Sequence, residues 1–201
     1  MRKYVYLFVG ILIAGIASAQ NLAKDYGAQL PNGDFESDWK KYTGGNKKLI
    51  GTENISGNEP YCWHSFMSAK GSVICLKAMS TQIDKRTDKR PGSKGSYSVR
   101  LTASSTLGIV ANGSLTNGRM YCGSTSATSD DNHLYTDRGT DEFNMPISVV
   151  PDSITVWLCF YAQSDGSYAA FHAAVHGDSN FILYSGKDGD ASQQVADANF
   201  E

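Results

Sequence analysis

Apolar and polar residues alternate in several short segments of the chain, and this period of two predicts β-strands rather than helices. The clearest segment, residues 153–161, reads SITVWLCFY and is mostly apolar on both faces. A strand of that kind is typical of the middle of a covered sheet, so we expect it to be central. Further strands are predicted at residues 35–42, 61–66, 72–77, 97–102, 115–122, 168–176 and 180–185. The polar segments 84–95 and 123–145 are predicted to be long loops.

The first residues show a different pattern, which is that of a secretory signal peptide. Arg2 and Lys3 precede an apolar run, and Ala17-Ser18-Ala19 ends it. The run is too short for a firm membrane-span assignment, although an uncleaved anchor is the alternative. We therefore predict a signal peptide over residues 1–19 and a single β-sandwich domain over residues 20–201. The mature chain would have no membrane span and would be secreted, periplasmic or held at the cell surface.

Composition supports the strand assignment and excludes one class of partner. Gly, Ser, Thr, Asn and Asp are abundant, which favours an all-β domain with many turns. Removing Arg2 and Lys3 with the leader leaves 16 basic residues against 20 acidic residues, a net charge of −4. A domain of this charge is not expected to bind nucleic acid.

The four cysteines raise the question of disulfides, because an exported chain meets an oxidising compartment. Their spacing matches no zinc motif. Four cysteines allow three pairings. The favoured one joins Cys62 to Cys75, which flank a predicted hairpin, and Cys122 to Cys159. Four free, buried thiols are the alternative.

Familiar catalytic motifs are absent from the sequence. It contains no G-x-S-x-G, H-E-x-x-H, Walker or G-x-G-x-x-G motif. His172 and His176 share one face of a predicted strand, but a four-residue separation places them about 13 Å apart, too far for two ligands of one ion. A catalytic pair of carboxylates stays possible, because acids are plentiful and no two of them stand out.

Several segments occur in an order that resembles a known family. They are LPNGDFESDW, EPYCWHSF, RPGSKGSYSVRL, ANGSLTNGRM and VPDSITVW, and they cover about residues 30 to 165. This series resembles secreted carbohydrate-metabolism domains (PCMD type) of Gram-negative bacteria, which are similar to galactose-binding-like jelly rolls. The resemblance implies an antiparallel β-sandwich of jelly-roll type. It also implies that the last strands of the sandwich lie beyond Glu201, and it does not account for Cys62 or Cys75.

The resemblance directs attention to a glycan site. Sugar recognition uses flat aromatic faces together with polar groups that address hydroxyls. Tyr61, Trp63 and His64 offer that chemistry in one short segment and are the predicted ligand-binding residues. The alternative for Trp63 is a place in the core, where its N–H would find a partner.

The stretch PNGDFESDW is predicted to be a turn that leads into the first strand. Asn32-Gly33 has turn chemistry, and Phe35 is expected to point inward with Trp39 on the same face. The resemblance implies a structural calcium ion near this strand, and Asp34 and Glu36 are the candidate ligands, with Asp188-Gly189-Asp190 as a further source of oxygens. Simple solvation of these acids is the alternative.

Taken together, these features predict a secreted, non-catalytic carbohydrate-binding module of glycan uptake or degradation. One alternative is a carbohydrate-active enzyme of the glycoside hydrolase kind, which would need a carboxylate pair in a cleft. Another is a cell-surface module that binds a protein partner.

Overall fold

The computed structural model describes residues 5–9, 30–47, 54–72, 75, 82–106, 108–147, 154, 156–162, 167, 169–177, 179–184 and 194–200. Strands dominate this part of the chain. They are β1 (Val5–Val9), β2 (Trp39–Lys47), β3 (Asn54–Pro60), β4 (Lys70–Gly71), β5 (Ile83–Arg86), β6 (Ser98–Leu101), β7 (Ser104–Thr106), β8 (Ile109–Ala111), β9 (Arg119–Cys122), β10 (Asn132–Tyr135), β11 (Val156–Phe160), β12 (Phe171–His176), β13 (Ile182–Tyr184) and β14 (Gln194–Phe200). Short 3₁₀ turns cover Phe66–Ser68 and Asp141–Phe143.

The strands form several small sheets. One four-stranded sheet has the order β11-β1-β6-β5, and a second has the order β13-β10-β9-β4. All of these pairings are antiparallel except that of β4 with β9. Three further pairs join β2 to β3, β7 to β8 and β12 to β14. The prediction of an all-β chain is therefore consistent with the described residues.

β1 lies inside the segment predicted to be a signal peptide. It pairs with β6 on one side and with β11 on the other. Cleavage after Ala19 would remove β1 and leave the facing edges of β6 and β11 without the strand between them. Within the part of the chain that is described, no helix has the length and apolar character needed to cross a membrane.

The main core lies between the first four-stranded sheet and the turn that precedes β2. Its buried members are Phe35, Trp63, Ile83, Val99 and Leu101. Alternation along β6 explains part of this set, since Val99 and Leu101 share one face and Ile83 of β5 is paired with Leu101. A second, smaller cluster contains Cys75, Ala111 and Cys122, with Phe66 packed against it.

Three predictions about individual segments are wrong. Residues 61–66 do not form a strand, because residues 61 and 62 form a turn and a 3₁₀ turn follows. Of residues 72–77 only 72 and 75 are described, and Cys75 has a helical backbone. Among the described strands, β11 lies at the edge of its sheet rather than at the centre, and its Trp157 is exposed. The predicted loop 123–145 contains strand β10, which pairs with both β9 and β13.

The predicted disulfide pairing also disagrees with the structure, in which all four cysteines carry free thiols. Cys62 packs against the main core, whereas Cys75 belongs to the smaller cluster with Cys122. The hairpin that would have brought Cys62 and Cys75 together is absent from the described residues. The spatial neighbour of Cys75 is therefore Cys122.

Candidate functional site

The stretch PNGDFESDW forms a compact turn, and strand β2 begins only at its last residue. Asn32 and Phe35 both have positive φ values, 52° and 61°. The Asn32 side chain stabilises the turn, since its Oδ1 accepts from the Ser37 N–H at 2.9 Å and its Nδ2 donates to the Tyr61 carbonyl at 2.9 Å. The prediction of a turn at Asn32-Gly33 is confirmed, as are the inward position of Phe35 and the contact of Trp39 with the core.

Asp34 and Glu36, the predicted calcium ligands, both accept hydrogen bonds from backbone N–H groups. Glu36 Oε1 accepts from the N–H groups of Ser96 and Tyr97, at 2.6 and 2.8 Å, and Asp34 Oδ1 accepts from the Glu36 N–H at 3.2 Å. A Cβ at Gly95 would lie 2.7 Å from Glu36 Oε1, so the glycine makes room for the carboxylate. Among the described residues, no group of three or more His, Cys, Asp or Glu could hold a metal ion.

The calcium site stays a prediction, although the donor set around Glu36 is not a good fit for it. A calcium ion takes six to eight oxygen ligands, and one oxygen of each of these two carboxylates already accepts backbone hydrogen bonds. The other predicted source of oxygens, residues 188–190, lies outside the described residues. No step of the function proposed below depends on calcium.

Trp63 occupies the core, which is the alternative that the sequence left open. Its side chain is only 7% exposed and meets the Phe35 ring edge-on, with centroids 5.7 Å apart. The indole N–H is shared between the carbonyls of Pro31 and Asn32, each at 3.1 Å. Tyr61, by contrast, is 62% exposed and available to a ligand. A ligand could reach Tyr61 but little of Trp63 in this conformation.

His64 is also buried, and both of its ring nitrogens face oxygen acceptors. Nε2 lies 2.7 Å from the Glu142 carbonyl, and Nδ1 lies 3.3 Å from Glu59 Oε2. Glu59 Oε1 accepts from both the N–H and the hydroxyl of Ser65, at 2.7 and 2.5 Å. This buried pair holds the segment after β3 in place. The role of Tyr61, Trp63 and His64 in ligand binding stays a prediction.

Above this pair, Glu142 forms a half-exposed polar cluster with two residues of β2. Its Oε1 accepts from Lys40 Nζ at 2.5 Å and from the Tyr42 hydroxyl. Burial acts to raise the pKa of Glu142, but the hydrogen bonds from Lys40 and Tyr42 outweigh it and lower that pKa. Burial, the bond to Glu142 and the nearby charge of Glu59 raise the pKa of Tyr42 far above its ordinary value. The Tyr42 hydroxyl is therefore held as a hydrogen-bond donor.

The feature best suited to a ligand lies on the outer face of the second four-stranded sheet. Tyr121 of β9, His133 of β10 and Tyr184 of β13 are directly opposite one another across three adjacent strands. We call these three residues the aromatic row. The rings of Tyr121 and His133 are stacked with centroids 5.1 Å apart and 13° between their planes, and Tyr184 meets His133 edge-on at 5.7 Å. Tyr121 is 38% exposed, so the row presents aromatic surface to solvent.

Alternation along β9 explains why this face is open. Met120 and Cys122 are buried beneath the sheet, whereas Arg119 and Tyr121 point to the other side. Gly123 follows directly, and a Cβ there would lie 3.0 Å from Tyr121 Cε1 and 2.8 Å from the Asp131 carbonyl. The glycine thus leaves room for the Tyr121 ring and for the close approach of the loop before β10.

Charged groups line one side of the aromatic row. Arg119 Nη1 donates to Asp137 Oδ2 at 3.2 Å, and Lys70 Nζ lies 3.8 Å from the same oxygen. The Arg119 guanidinium also lies 4.2 Å from the centroid of Phe143, and the Phe143 ring packs against His64 at 4.3 Å. The buried His64 therefore supports this surface indirectly, through Phe143 and Arg119.

One hydrogen bond sets the orientation of His133. Its Nδ1 lies 3.1 Å from the Asp130 carbonyl, which can only accept, so in the neutral ring Nδ1 carries the proton and Nε2 is an acceptor. Asn132 holds the preceding loop, since its Oδ1 accepts from the Ser124 N–H at 3.0 Å and its Nδ2 donates to the Ser126 carbonyl at 2.7 Å. The row thus combines aromatic faces with an acceptor for hydroxyl groups.

No sequence motif indicates the aromatic row directly. Tyr121, His133 and Tyr184 are separated along the chain, and His133 lies in a segment predicted to be a loop. A local signal was present in N-H-L-Y at residues 132–135, which alternates and contains two aromatic rings on one face. Its pairing with β9 and β13 depends on register between distant strands, which periodicity cannot provide.

Comparisons with known proteins identified no relative of this chain. No family model, no curated protein and no solved structure matches this chain. The resemblance to secreted carbohydrate-metabolism domains therefore stays a prediction.

Proposed function

We propose that the protein is a non-catalytic carbohydrate-binding module, and that it binds its glycan on the outer face of the β4-β9-β10-β13 sheet. The observation that supports this proposal is the aromatic row, in which three rings lie in register across three strands. Neighbouring strands are about 4.8 Å apart, so the row extends over about 10 Å. That length suits a ligand of more than one sugar ring.

The chemistry of the face matches what a sugar offers. The C–H faces of a pyranose are apolar and would lie against the exposed ring of Tyr121. His133 Nε2 would accept a hydrogen bond from a hydroxyl, because Nδ1 already donates to the Asp130 carbonyl. Lys70, Arg119 and Asp137 would address further hydroxyls at the side of the row. Aromatic and charged groups in this combination favour a carbohydrate over a purely apolar ligand.

The finer fold is part of the same proposal. We propose that the β5-β6 sheet and the β13-β10-β9-β4 sheet face each other as a jelly-roll sandwich. Support comes from Val99 and Leu101 of β6 and Met120 and Cys122 of β9, each of which is buried beneath its own sheet. In a sandwich the outer face of one sheet stays open to ligands, as the aromatic row requires.

We also propose that the protein is secreted, since the N-terminal pattern is that of a cleaved leader. N-terminal sequencing of the exported protein should begin at Gln20. A first residue at or before Val5 would instead mean that β1 is retained.

The binding experiment compares three tyrosines. Purified protein would be screened on a glycan array, with and without calcium, and then run in native gels that contain each soluble polysaccharide bound on the array. Tyr121→Ala should weaken retention by about 5- to 30-fold, the effect of about 1–2 kcal/mol at the centre of an interface. Its melting temperature should stay close to that of the wild type. Tyr161→Ala is the matched control, since this tyrosine is 53% exposed after β11 and outside the row.

Tyr61→Ala tests the site predicted from sequence. If it abolishes retention while Tyr121→Ala does not, the ligand binds beside the turn at Asn32 instead of on the sheet. Absence of binding to any glycan, or equal effects of Tyr121→Ala and Tyr161→Ala, would overturn the proposal. Release of sugar from a bound polysaccharide would favour the enzyme alternative, and no array binding with a co-purifying protein would favour the protein-interaction alternative.

A further inference from the structure

Two cysteines that are 47 positions apart in the sequence are buried side by side. Cys75 and Cys122 share the smaller core cluster with Ala111, and Phe66 packs against it. The two thiol groups are hydrogen-bonded to each other. The other two cysteines are elsewhere: Cys62 packs against the main core, and Cys159 lies in the edge strand β11.

The backbone around β4 brings these two thiols together. Gly71 is paired with Cys122 in the parallel β4–β9 ladder, and the Ser72 N–H donates to the Cys122 carbonyl at 2.9 Å. Ser72 Oγ then accepts from the Cys75 N–H at 3.2 Å, which fixes the start of the next turn. Gly71 is required at this crossing because it has a φ of 145° and a Cβ would lie 2.0 Å from the Cys122 carbonyl oxygen.

We propose that Cys75 and Cys122 form a disulfide when the chain folds in the presence of an organic disulfide. One thiol attacks the donor disulfide as its thiolate and releases one thiol, which leaves a mixed disulfide on the protein. The second cysteine attacks that mixed disulfide and releases the second thiol. The two cysteines lose two protons and two electrons, and the donor is reduced to two thiols.

Burial of the two cysteines determines when the disulfide can form. Both cysteines are buried in the folded chain, so a donor disulfide cannot reach them there. Burial, together with the neighbouring Cys75, raises the pKa of Cys122 to about 12, so the folded protein holds almost none of its reactive thiolate. The exchange therefore belongs to folding, when the thiols are still accessible.

The test is oxidative refolding. Reduced, denatured protein would be refolded in a mixture of oxidised and reduced glutathione, its remaining thiols alkylated in denaturant, and the unreduced protein digested for mass spectrometry. The expected product is a linked peptide pair that contains Cys75 and Cys122, with Cys62 and Cys159 alkylated. Refolding with reduced glutathione alone should leave all four cysteines alkylated.

Variants provide the controls. Cys62→Ser should retain the linked pair, whereas Cys75→Ser and Cys122→Ser should each abolish it. The peptide map of the wild-type protein decides the matter even if one of the last two variants fails to fold. A Cys62–Cys75 or Cys122–Cys159 linkage, or a refolded protein with no internal bridge, would overturn the proposal.

Discussion

The buried contact between Glu59 and His64 allows a prediction of stability to be worked out group by group. Glu59 is 1% exposed. In Glu59→Ala the Ser65 N–H and His64 Nδ1 lose their acceptor at a buried site. A buried polar group without a partner costs about 1–3 kcal/mol, and two such groups lose their acceptor together in this variant. We therefore expect Glu59→Ala to lower the free energy of unfolding by about 4 kcal/mol.

The hydrogen bonds of His64 allow a second prediction, for Glu59→Gln. Both ring nitrogens of His64 face oxygen atoms, and a hydrogen bond between Nδ1 and Glu59 Oε2 requires one proton between these two atoms. Glu59→Gln can replace that proton, because its amide N–H can donate to Nδ1 while its carbonyl still accepts from Ser65. We expect the glutamine variant to lose only about 1 kcal/mol, the ordinary value of one hydrogen bond.

The assay is urea unfolding at neutral pH, with thermal melting as a second measure. A loss of about 4 kcal/mol corresponds to a fall of about 8–16 °C in melting temperature for a chain of this size. Glu142→Ala is the matched control, since it removes a half-exposed carboxylate and keeps the carbonyl that His64 contacts, and it should cost no more than about 1 kcal/mol. Equal stabilities for Glu59→Ala and Glu142→Ala would refute the assignment of Glu59 as a structural residue.

Three further predictions concern the bridge, the first turn and the cluster around Glu142. Reducing the proposed Cys75–Cys122 bridge should lower the melting temperature by about 8–16 °C, because closing a loop of about 47 residues stabilises by roughly 4 kcal/mol. Glu36→Ala should cost about 1–2 kcal/mol in urea unfolding, because two backbone N–H groups lose a charged acceptor. Tyr42→Phe should reduce the loss of stability in alkali. The raised pKa keeps the folded hydroxyl protonated while the unfolded one ionises near 10.0, so this contribution is complete below that pH and is lost as pH rises above it.

A particular result would contradict each of these three predictions. Equal melting temperatures with and without reductant would rule out a stabilising bridge. A wild-type melting temperature that falls in EDTA, with no such fall in Glu36→Ala, would mean that Glu36 holds calcium as well as the backbone. If the wild type and Tyr42→Phe lose stability equally as pH rises, groups other than Tyr42 cause the alkaline sensitivity.

Local patterns were sufficient for some of the fold. Val99 and Leu101 alternate with polar residues, and β6 forms where that alternation predicts a strand. The turn at Asn32-Gly33 and the inward position of Phe35 follow from residue types that tolerate positive φ or favour burial. These features depend on a few neighbouring residues, which is the range over which sequence patterns are informative.

Predictions failed where distant contacts override the local pattern. Residues 61–66 have strand-forming residue types, but Cys62 has a φ of 67° and the Ser65 hydroxyl accepts from the Met67 N–H to begin a 3₁₀ turn. Glu59 then fixes the segment through Ser65 and His64. Buried hydrogen bonds of this kind produce no periodic pattern in the sequence. They explain why Trp63 and His64, which were predicted to contact a ligand, are buried.

The location of the candidate site follows from the same reasoning. Trp63 has the most suitable side chain for sugar stacking, but a tryptophan with two carbonyl acceptors inside a core stabilises the fold and leaves little surface for a ligand. Tyr121 and His133 are less conspicuous in the sequence, yet antiparallel register places them directly opposite on an open face. The rings of Tyr121 and His133 are nearly parallel, and Tyr121 is accessible to solvent. The register of β9 with β10 is therefore a better guide to the proposed binding surface than the aromatic content of any one segment.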